Sequence, residues 1–432
     1  MRKKGKSSIS FLAIVSIGIG SMVGAGIFAL MGIVGEKIGA AAILSFAISG
    51  IVAALAAYSY AKMGARFPSN GGIVEFLVQG FGGGTLAGTL SLMYYVTLLV
   101  ASALVAKTFG HYASDLATGS GAPGLWVNVF ASSCVLGLAL VNAVSAHSVG
   151  RLETVIVLIK MSILVIFTLA IVPGIDPALL DGAHKNEFSP LMIGTLGLTF
   201  LAYAGFGIMT NAGEDVANPS RTIPFAMFTA IGIVIALYIA IGVAVFGSMS
   251  AGDIIKYKET VLAHAAEPLF GHMGFVFVSI AALLATASAL NSNLFGELNT
   301  SYMQATLGQL PEGFNRNLWH NATLSFVGSI TIILLLVNYL SLHAIASING
   351  ATFLLCYLAV QIAHYRVAEK TNASRVVILL GIIALALVTI AFLIETTLYQ
   401  PTSAILFFSF LLACWLIERW YLSSRRRLRP TR

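Results

Sequence analysis

Twelve apolar segments divide this chain and leave room for little else. They cover approximately residues 9–34, 40–62, 85–116, 124–146, 150–173, 189–213, 223–247, 271–303, 320–339, 341–364, 375–394 and 402–421. About 20 apolar residues is the length a helix needs to cross a bilayer. Inside lipid every backbone N–H and C=O must be satisfied within the chain, which restricts spanning structure to helices and closed barrels. Runs this long and continuous select helices. The expected fold is therefore an all-α polytopic membrane protein with twelve transmembrane helices. Only 9% of residues are charged and 58% are hydrophobic, with a mean hydropathy of +0.91, whereas soluble domains carry about 25% charged residues. A soluble fold is excluded. The net charge of +7 lies in loops and tails, so it is no sign of nucleic-acid binding. Cys134, Cys356 and Cys414 each fall inside an apolar run, so neither a disulfide framework nor a metal site is expected, and no cofactor is implied. Arg2-Lys3-Lys4 before an apolar run imitates a signal peptide, but the run is long and more spans follow, so an uncleaved first span is expected. The loops near 174–188 and 248–270 are long enough for short interfacial helices.

Basic residues set the orientation of a membrane chain. With the N-terminus inside, all 13 arginines fall at cytoplasmic ends, among them Arg66, Arg151, Arg221, Arg316, Arg366, Arg375 and the tail Arg425-Arg426-Arg427. The opposite side keeps Lys37, Lys185, Lys256 and Lys258. An even span count then places both termini in the cytoplasm, and the basic tail reads as a topology anchor.

The first span contains Gly18-Ile19-Gly20-Ser21-Met22-Val23-Gly24-Ala25-Gly26-Ile27-Phe28, with four glycines in eleven residues. Glycine costs about 1 kcal/mol relative to alanine inside a helix, so a break is expected at mid-depth. Freed backbone groups there are tolerated only where they line a cavity, and broken helices carry the substrate site in many secondary transporters. The alternative is that these glycines only permit close helix packing. The sixth span carries a second interruption, Ala202-Tyr203-Ala204-Gly205-Phe206-Gly207, about 13 residues in, as in the first. Five spans separate the two, so the units insert with opposite orientation. Paired interruptions of this kind point to an inverted repeat with its binding site between them.

Lys160 stands at the centre of the fifth span, where an ammonium costs at least about 2.5–3.5 kcal/mol. Burial favours the neutral amine, which makes a proton switch one reading. The other is a permanent charge paired with a buried carboxylate. Glu153, seven residues earlier and about 10 Å along the axis, is too far to pair directly. Glu297, in the inner half of the eighth span, is read either as a wall or relay of the cytoplasmic exit or as a solvated helix-end charge. Lys107 is expected to snorkel. Glu75, His111, His264 and His272 fall in or near loops and receive no role. The hydroxyls of Thr286-Ala287-Ser288-Ala289-Leu290-Asn291-Ser292 either back-bond their own helix or coordinate a cation.

Four stretches carry a family resemblance: Gly24-Ala25-Gly26-Ile27-Phe28; Tyr60-Ala61-Lys62-Met63 through Arg66-Phe67-Pro68-Ser69-Asn70-Gly71-Gly72; Phe200-Leu201-Ala202-Tyr203-Ala204-Gly205-Phe206 continuing to Glu214-Asp215-Val216-Ala217-Asn218-Pro219-Ser220-Arg221-Thr222-Ile223-Pro224; and Lys160 within its span. On these the chain resembles the amino acid–polyamine–organocation superfamily, and most closely its ApcT-type proton-coupled, broad-specificity amino-acid permeases, from about Ile9 to Arg366. The resemblance implies a 5+5 inverted-repeat core over 1–374, with repeats at approximately 9–173 and 189–364. Two additional helices over 375–421 and a basic cytoplasmic tail over 422–432 follow. It places the substrate between spans one and six, beside Met22, Val23, Gly24, Ala25, Gly26, Phe200, Leu201, Ala202, Tyr203, Ala204 and Gly205. Amides of Gly24, Ala25 and Gly26 would receive a carboxylate, and carbonyls of Met22, Leu201, Ala202 and Ala204 an ammonium. Lys160 would reach the Gly20 carbonyl with Ser288 nearby, standing in for a sodium ion and coupling protons. Gly207 and Lys62 depart from the superfamily, many of whose members carry acidic residues there.

The expected function is secondary active uptake of small to medium amino acids with a proton, by alternating access across the cell membrane. The expected partners are the amino acid, protons and the lipid bilayer. A proton-independent exchanger is the alternative. A polyamine carrier fits less well, because neither break holds a carboxylate for a second positive charge. No tryptophan lies in spans one and six, which favours apolar side chains of modest size. An intramembrane enzyme needs a nucleophile–base pair or metal ligands at mid-depth, and no HExxH or GxSxG pattern occurs. A channel is expected to show repeated filters rather than one inverted repeat.

Overall fold

The computed structural model describes residues 10–69, 71–119, 124–144, 149–181, 189–216, 218–306, 316–319 and 322–425. The chain is helical nearly throughout. The first span is three pieces, α1 (Phe11–Met22), α2 (Ala25–Phe28) and α3 (Leu30–Ile38), followed by α4 (Ala42–Arg66), α5 (Ile73–Phe81) and α6 (Thr85–Thr118). Next come α7 (Gly124–Val144), α8 (Val149–Ile171), the short α9 (Pro177–Asp181) and α10 (Pro190–Leu201). A 3₁₀ stretch, Ala204–Asp215, continues the line of α10 and leads into α11 (Pro219–Phe246). Then follow α12 (Ala251–Lys256), α13 (Val261–Phe270), α14 (His272–Thr306), α15 (Leu324–Tyr339), α16 (Leu342–Arg366), α17 (Arg375–Tyr399) and α18 (Pro401–Arg425).

Polar side chains set several of the starts. Ser10, Ser189, Ser250, Thr323 and Ser341 each accept a hydrogen bond from a first-turn amide that has no intrahelical acceptor. Pro190 and Pro219 open their helices, where the missing N–H removes nothing. The two long loops of the sequence hold α9 and the pair α12 and α13. α13 is not a surface element: Val261, Leu262 and Ala263 are fully buried, and it packs on α14.

Among the described residues, eleven helical stretches are long and apolar enough to cross a membrane. The twelfth expected segment, 320–339, is shorter. A small antiparallel pair, Asn317–Trp319 with Ala322–Thr323, precedes it, and Thr323 caps α15, leaving a helix of 16 residues.

α6 packs against α7, α14, α16 and α18 and forms the centre of the bundle. α7, α8, α17 and α18 instead present large apolar side chains outward, including Leu136, Leu169, Leu387 and Ile417. Apolar surface on this scale belongs against lipid. α17 also grips the core. A Cβ on Gly197 of α10 would stand 2.2 Å from the Phe392 ring of α17. Lys37 at the end of α3 bonds Glu395 of α17 at 2.6 Å. α17 thereby touches both interrupted helices.

Candidate functional site

The first interruption is a single tight turn. Val23 has φ −85° and ψ 75°, and the Gly24 N–H donates to the Met22 carbonyl at 3.0 Å. This is an inverse γ-turn. It ends α1 and releases the last carbonyls of that helix, which need other donors. Lys160 of α8, fully buried, supplies two of them: its Nζ donates to Gly20 O at 3.0 Å and to Val23 O at 2.8 Å. The negative end of the α1 dipole favours a cation at this point. Ser288 is buried on α14, which packs against α8. Thr286 back-bonds Ala282 and Leu283 within α14.

The second interruption follows Leu201, with Ala202 and Tyr203 in turn geometry before the 3₁₀ stretch. The Tyr203 N–H donates to Phe200 O at 2.9 Å. The two interruptions lie against each other. A Cβ on Gly26 would meet Ala202 O at 2.8 Å and Ala202 Cα at 2.9 Å, and one on Gly205 would meet the Ser21 carbonyl at 2.6 Å. Glycine therefore allows two backbones to touch here.

Tyrosine hydroxyls complete the account of freed carbonyls. Tyr238 of α11 donates to Met22 O at 2.7 Å and to Ala202 O at 3.2 Å, bridging the two breaks. Tyr357 of α16 donates to Ala204 O. Tyr203 reaches Phe46 O at 2.9 Å, and Tyr112 reaches Phe28 O at 3.0 Å. Three of the four carbonyls expected to meet an ammonium thus already accept from a hydroxyl, and Met22 O accepts from the Gly24 N–H as well. Of the three expected amides, Gly24 is engaged in the turn, while Ala25 and Gly26 open α2 without an intrahelical acceptor.

A cavity of about 50 Å³ lies between the interruptions. Ser21, Met22, Ala25, Gly26, Leu201, Ala204 and Gly205 form one side of it. Leu98, Leu104, Val105 and Phe353 give it apolar walls, and Tyr94, Asn293 and Asn349 add polar ones. A water occupies about 30 Å³ of liquid, so an amino acid needs these walls to part. Tyr238, Tyr357, Asn293 and Asn349 escaped the sequence reading. The available signal was a polar tip at mid-span in an apolar run, which in a bilayer requires a partner.

Lys107 sits differently from expectation, and His264, given no role, has close partners. Lys107 is buried and caps α15 by donating to Val337 O at 2.8 Å, with Asn128 as its other acceptor, instead of snorkelling to the interface. His264 stands between Asp115 at 3.0 Å and Glu267 at 3.2 Å, under the ring of Tyr257. Near it Lys258 bonds Glu36 at 2.8 Å, and that carboxylate raises the pKa of the lysine.

Interrupted helices meeting at a cavity, inside a helical bundle with a lipid-compatible surface, define a polytopic membrane protein of the transporter type. The chain belongs to the amino acid permease family, whose pattern it matches over residues 9–417. It is similar to the inner membrane transport protein YbaT of Escherichia coli, with 40% identity over 393 residues and 90% of each chain covered. It is 32% identical over 394 residues to the protein MJ0609 of Methanocaldococcus jannaschii, covering 89% of this chain and 88% of that one. It is 28% identical over 323 residues to the large neutral amino acids transporter small subunit 2 of Oryctolagus cuniculus, covering 71% and 59%. The family is one of amino acid permeases, and the Escherichia coli and Oryctolagus cuniculus relatives are named as transporters.

Proposed function

We infer that this protein takes up small to medium amino acids together with a proton, by alternating access. The observation that carries the reading is the Lys160 ammonium held on Gly20 O and Val23 O at the end of α1. A single removable charge fixes the carbonyl end of the substrate-binding break. Loss of its proton leaves those carbonyls without their charged donor and loosens α1.

The substrate fits the same geometry. An α-amino acid is a zwitterion. Its carboxylate goes to the Ala25 and Gly26 amides at the start of α2, and its ammonium to Met22, Ala202 and Ala204, displacing or sharing the hydroxyls of Tyr238 and Tyr357. The apolar walls around Leu98, Leu104, Val105 and Phe353 favour small to medium apolar side chains. The two interruptions support the 5+5 inverted repeat over 9–173 and 189–364, with α17 and α18 as additions and α15 counted as the ninth span. The arginine distribution supports a multi-pass cell-membrane protein with both termini in the cytoplasm.

Purified protein in liposomes, offered a panel of labelled amino acids with and without an inward pH gradient, tests the reading. Uptake of neutral amino acids accelerated by the gradient and indifferent to sodium is expected. Exchange that needs internal amino acid and ignores the gradient overturns proton coupling.

A further inference from the structure

Glu297 is a buried carboxyl that the site above does not use. It lies on α14 one helical turn beyond Asn293, which lines the central cavity. Its exposure is 1%. Oε1 accepts from the Ser102 hydroxyl of α6 at 2.6 Å, while Oε2 is buried with no hydrogen-bond partner. Among the described residues no lysine, arginine or histidine stands within ion-pair distance of it. An ionised carboxylate needs a partner or water in such surroundings, and an ionisable group inside a span marks a functional site unless a structural partner explains it. One serine hydroxyl is too little to hold a permanent charge.

The neighbourhood offers a route for a proton. Between Glu297 and the end of α14 at Thr306, about 14 Å along the axis, buried polar side chains of α6, α14 and α15 hydrogen-bond across the helices. Ser325 of α15 donates to Ser301 of α14 at 3.3 Å. Tyr95 of α6 bonds Ser329 of α15 at 2.5 Å. Gln304 of α14 donates to the Ser91 carbonyl of α6 at 2.6 Å, and its own Oε1 is buried without a partner. Unsatisfied polar atoms along one seam are where water enters when helices part.

We propose that Glu297 is a second proton-carrying site, loaded as the neutral acid in the closed bundle and discharged into the polar seam between α6, α14 and α15. This rests on the proton-coupled reading above. In the discharge step the carboxyl O–H bond breaks, the proton passes to water in the seam, and the carboxylate left behind accepts from Ser102 and that water. By the arginine distribution the seam opens to the cytoplasm, so discharge follows delivery of the substrate.

No other group nearby takes over this titration. α6 brings the phenols Tyr94 and Tyr95, while its lysine, Lys107, is held by Asn128 and Val337. α8 brings Lys160, held on α1. α5 brings Glu75, bonded to Gln79, and α7 brings Cys134. α13 brings His264 and Glu267, and α14 itself His272, at the opposite end, and the phenol of Tyr302, whose side chain is exposed. α15 carries only Tyr339, at its far end, and α1 and α2 carry no titratable side chain.

Infrared difference spectroscopy of the protein in lipid, stepped in pH, reads the carboxyl directly without relying on transport. The expected result is a protonated-carboxyl C=O band that Glu297→Gln removes, and that shifts to the free-carbonyl position in Ser102→Ala. Glu297→Gln liposomes are then expected to lose most of the gradient acceleration while still exchanging labelled for unlabelled amino acid. A band unchanged by both substitutions overturns the proposal, as does a band lost in Glu297→Gln with gradient-driven uptake at the wild-type ratio. If Glu297→Gln does not fold, Ser102→Ala decides by the band shift alone. Wild-type protein that shows the band but no gradient effect would instead remove the proton-coupled reading.

Discussion

The Lys160 ammonium stands 2.8 Å from the carbonyl of Val23, the residue on which the first helix turns. The side chain donates to both Gly20 O and Val23 O at the negative end of α1, and the proposed coupling ties its charge state to the shape of the break. Lys160→Ala removes donors from two buried carbonyls at about 1–3 kcal/mol each. The expected outcome is folded protein of reduced thermal stability whose uptake no longer responds to pH. Wild-type uptake is expected to be unaffected by replacing sodium with choline. An alanine variant with the wild-type pH profile removes Lys160 from the coupling.

Tyr238 makes a separable contribution. Its hydroxyl joins Met22 O to Ala202 O, and so ties the two interruptions together. Tyr238→Phe keeps the ring packed against Phe46 and Tyr203 and removes only the tie. Stability should fall by about 1–3 kcal/mol for the Ala202 carbonyl left without the hydroxyl, Met22 O keeping the Gly24 N–H, read as a lower melting temperature in detergent. Added amino acid should restore part of that loss, because the substrate ammonium takes the vacated acceptors. Equal stabilisation of the variant and the wild type by ligand would place the ammonium elsewhere.

The zwitterion clamp makes a prediction about ligands. Esterifying the substrate carboxylate replaces a charged acceptor for two amides by one neutral carbonyl and leaves one amide unpaired, at about 1–3 kcal/mol. Shortening an apolar side chain by one methylene loses about 0.8 kcal/mol. Competition against a labelled amino acid should therefore show the ester losing affinity by more than the shortened analogue does. Equal losses would move the carboxylate off α2.

Much of this architecture was legible before any coordinates, for identifiable reasons. Span length and glycine content are local, so the interruptions at Gly24 and near Ala202 could be placed by counting. The partners of the interruptions are not local. Ser102 and Glu297 are 195 residues apart, and Tyr238 and Met22 are 216 apart. Nothing in an apolar run states which face of a helix meets which neighbour. Lys107 shows the same limit from the other side: proximity to a helix end predicts snorkelling, and only packing reveals that its acceptors, Asn128 Oδ1 and the Val337 carbonyl, lie on other helices. α17 follows as an added helix from the family resemblance, which does not say how it packs. Its grip on Gly197 through Phe392 depends on a cleft that glycine leaves in a different helix.

Away from the site, Gly32 of α3 provides a stability control. A Cβ there would lie 2.0 Å from the Lys258 carbonyl, a backbone atom held in place partly by the Lys258–Glu36 bond. Overpacking of this kind costs about 1–3 kcal/mol. Gly32→Ala should lower monodisperse yield and melting temperature, while the protein that folds keeps wild-type affinity. A large affinity loss in the folded fraction would show that α3 takes part in recognition.

Gly24 allows the two roles of glycine to be separated. A Cβ on it would meet Ala289 Cβ at 2.8 Å, and the next atom, Ala285 O, stands at an ordinary 3.8 Å. The clash is with one methyl group, which Ala289→Gly removes. Gly26 has no such remedy, because it faces the backbone of Ala202. If Gly24 serves packing alone, Gly24→Ala lowers yield, and the Gly24→Ala/Ala289→Gly pair restores both yield and binding. If its small size also lets a carboxylate reach the start of α2, the pair restores yield while binding stays weak. The second outcome is expected. Monodisperse yield and ligand-induced thermal stabilisation, which mass action ties to affinity, measured on one preparation, distinguish the two. Ala289→Gly alone serves as the reference for the cavity left on α14. Full recovery of ligand stabilisation in the pair would reduce the first interruption to a packing device and move the carboxylate site away from it.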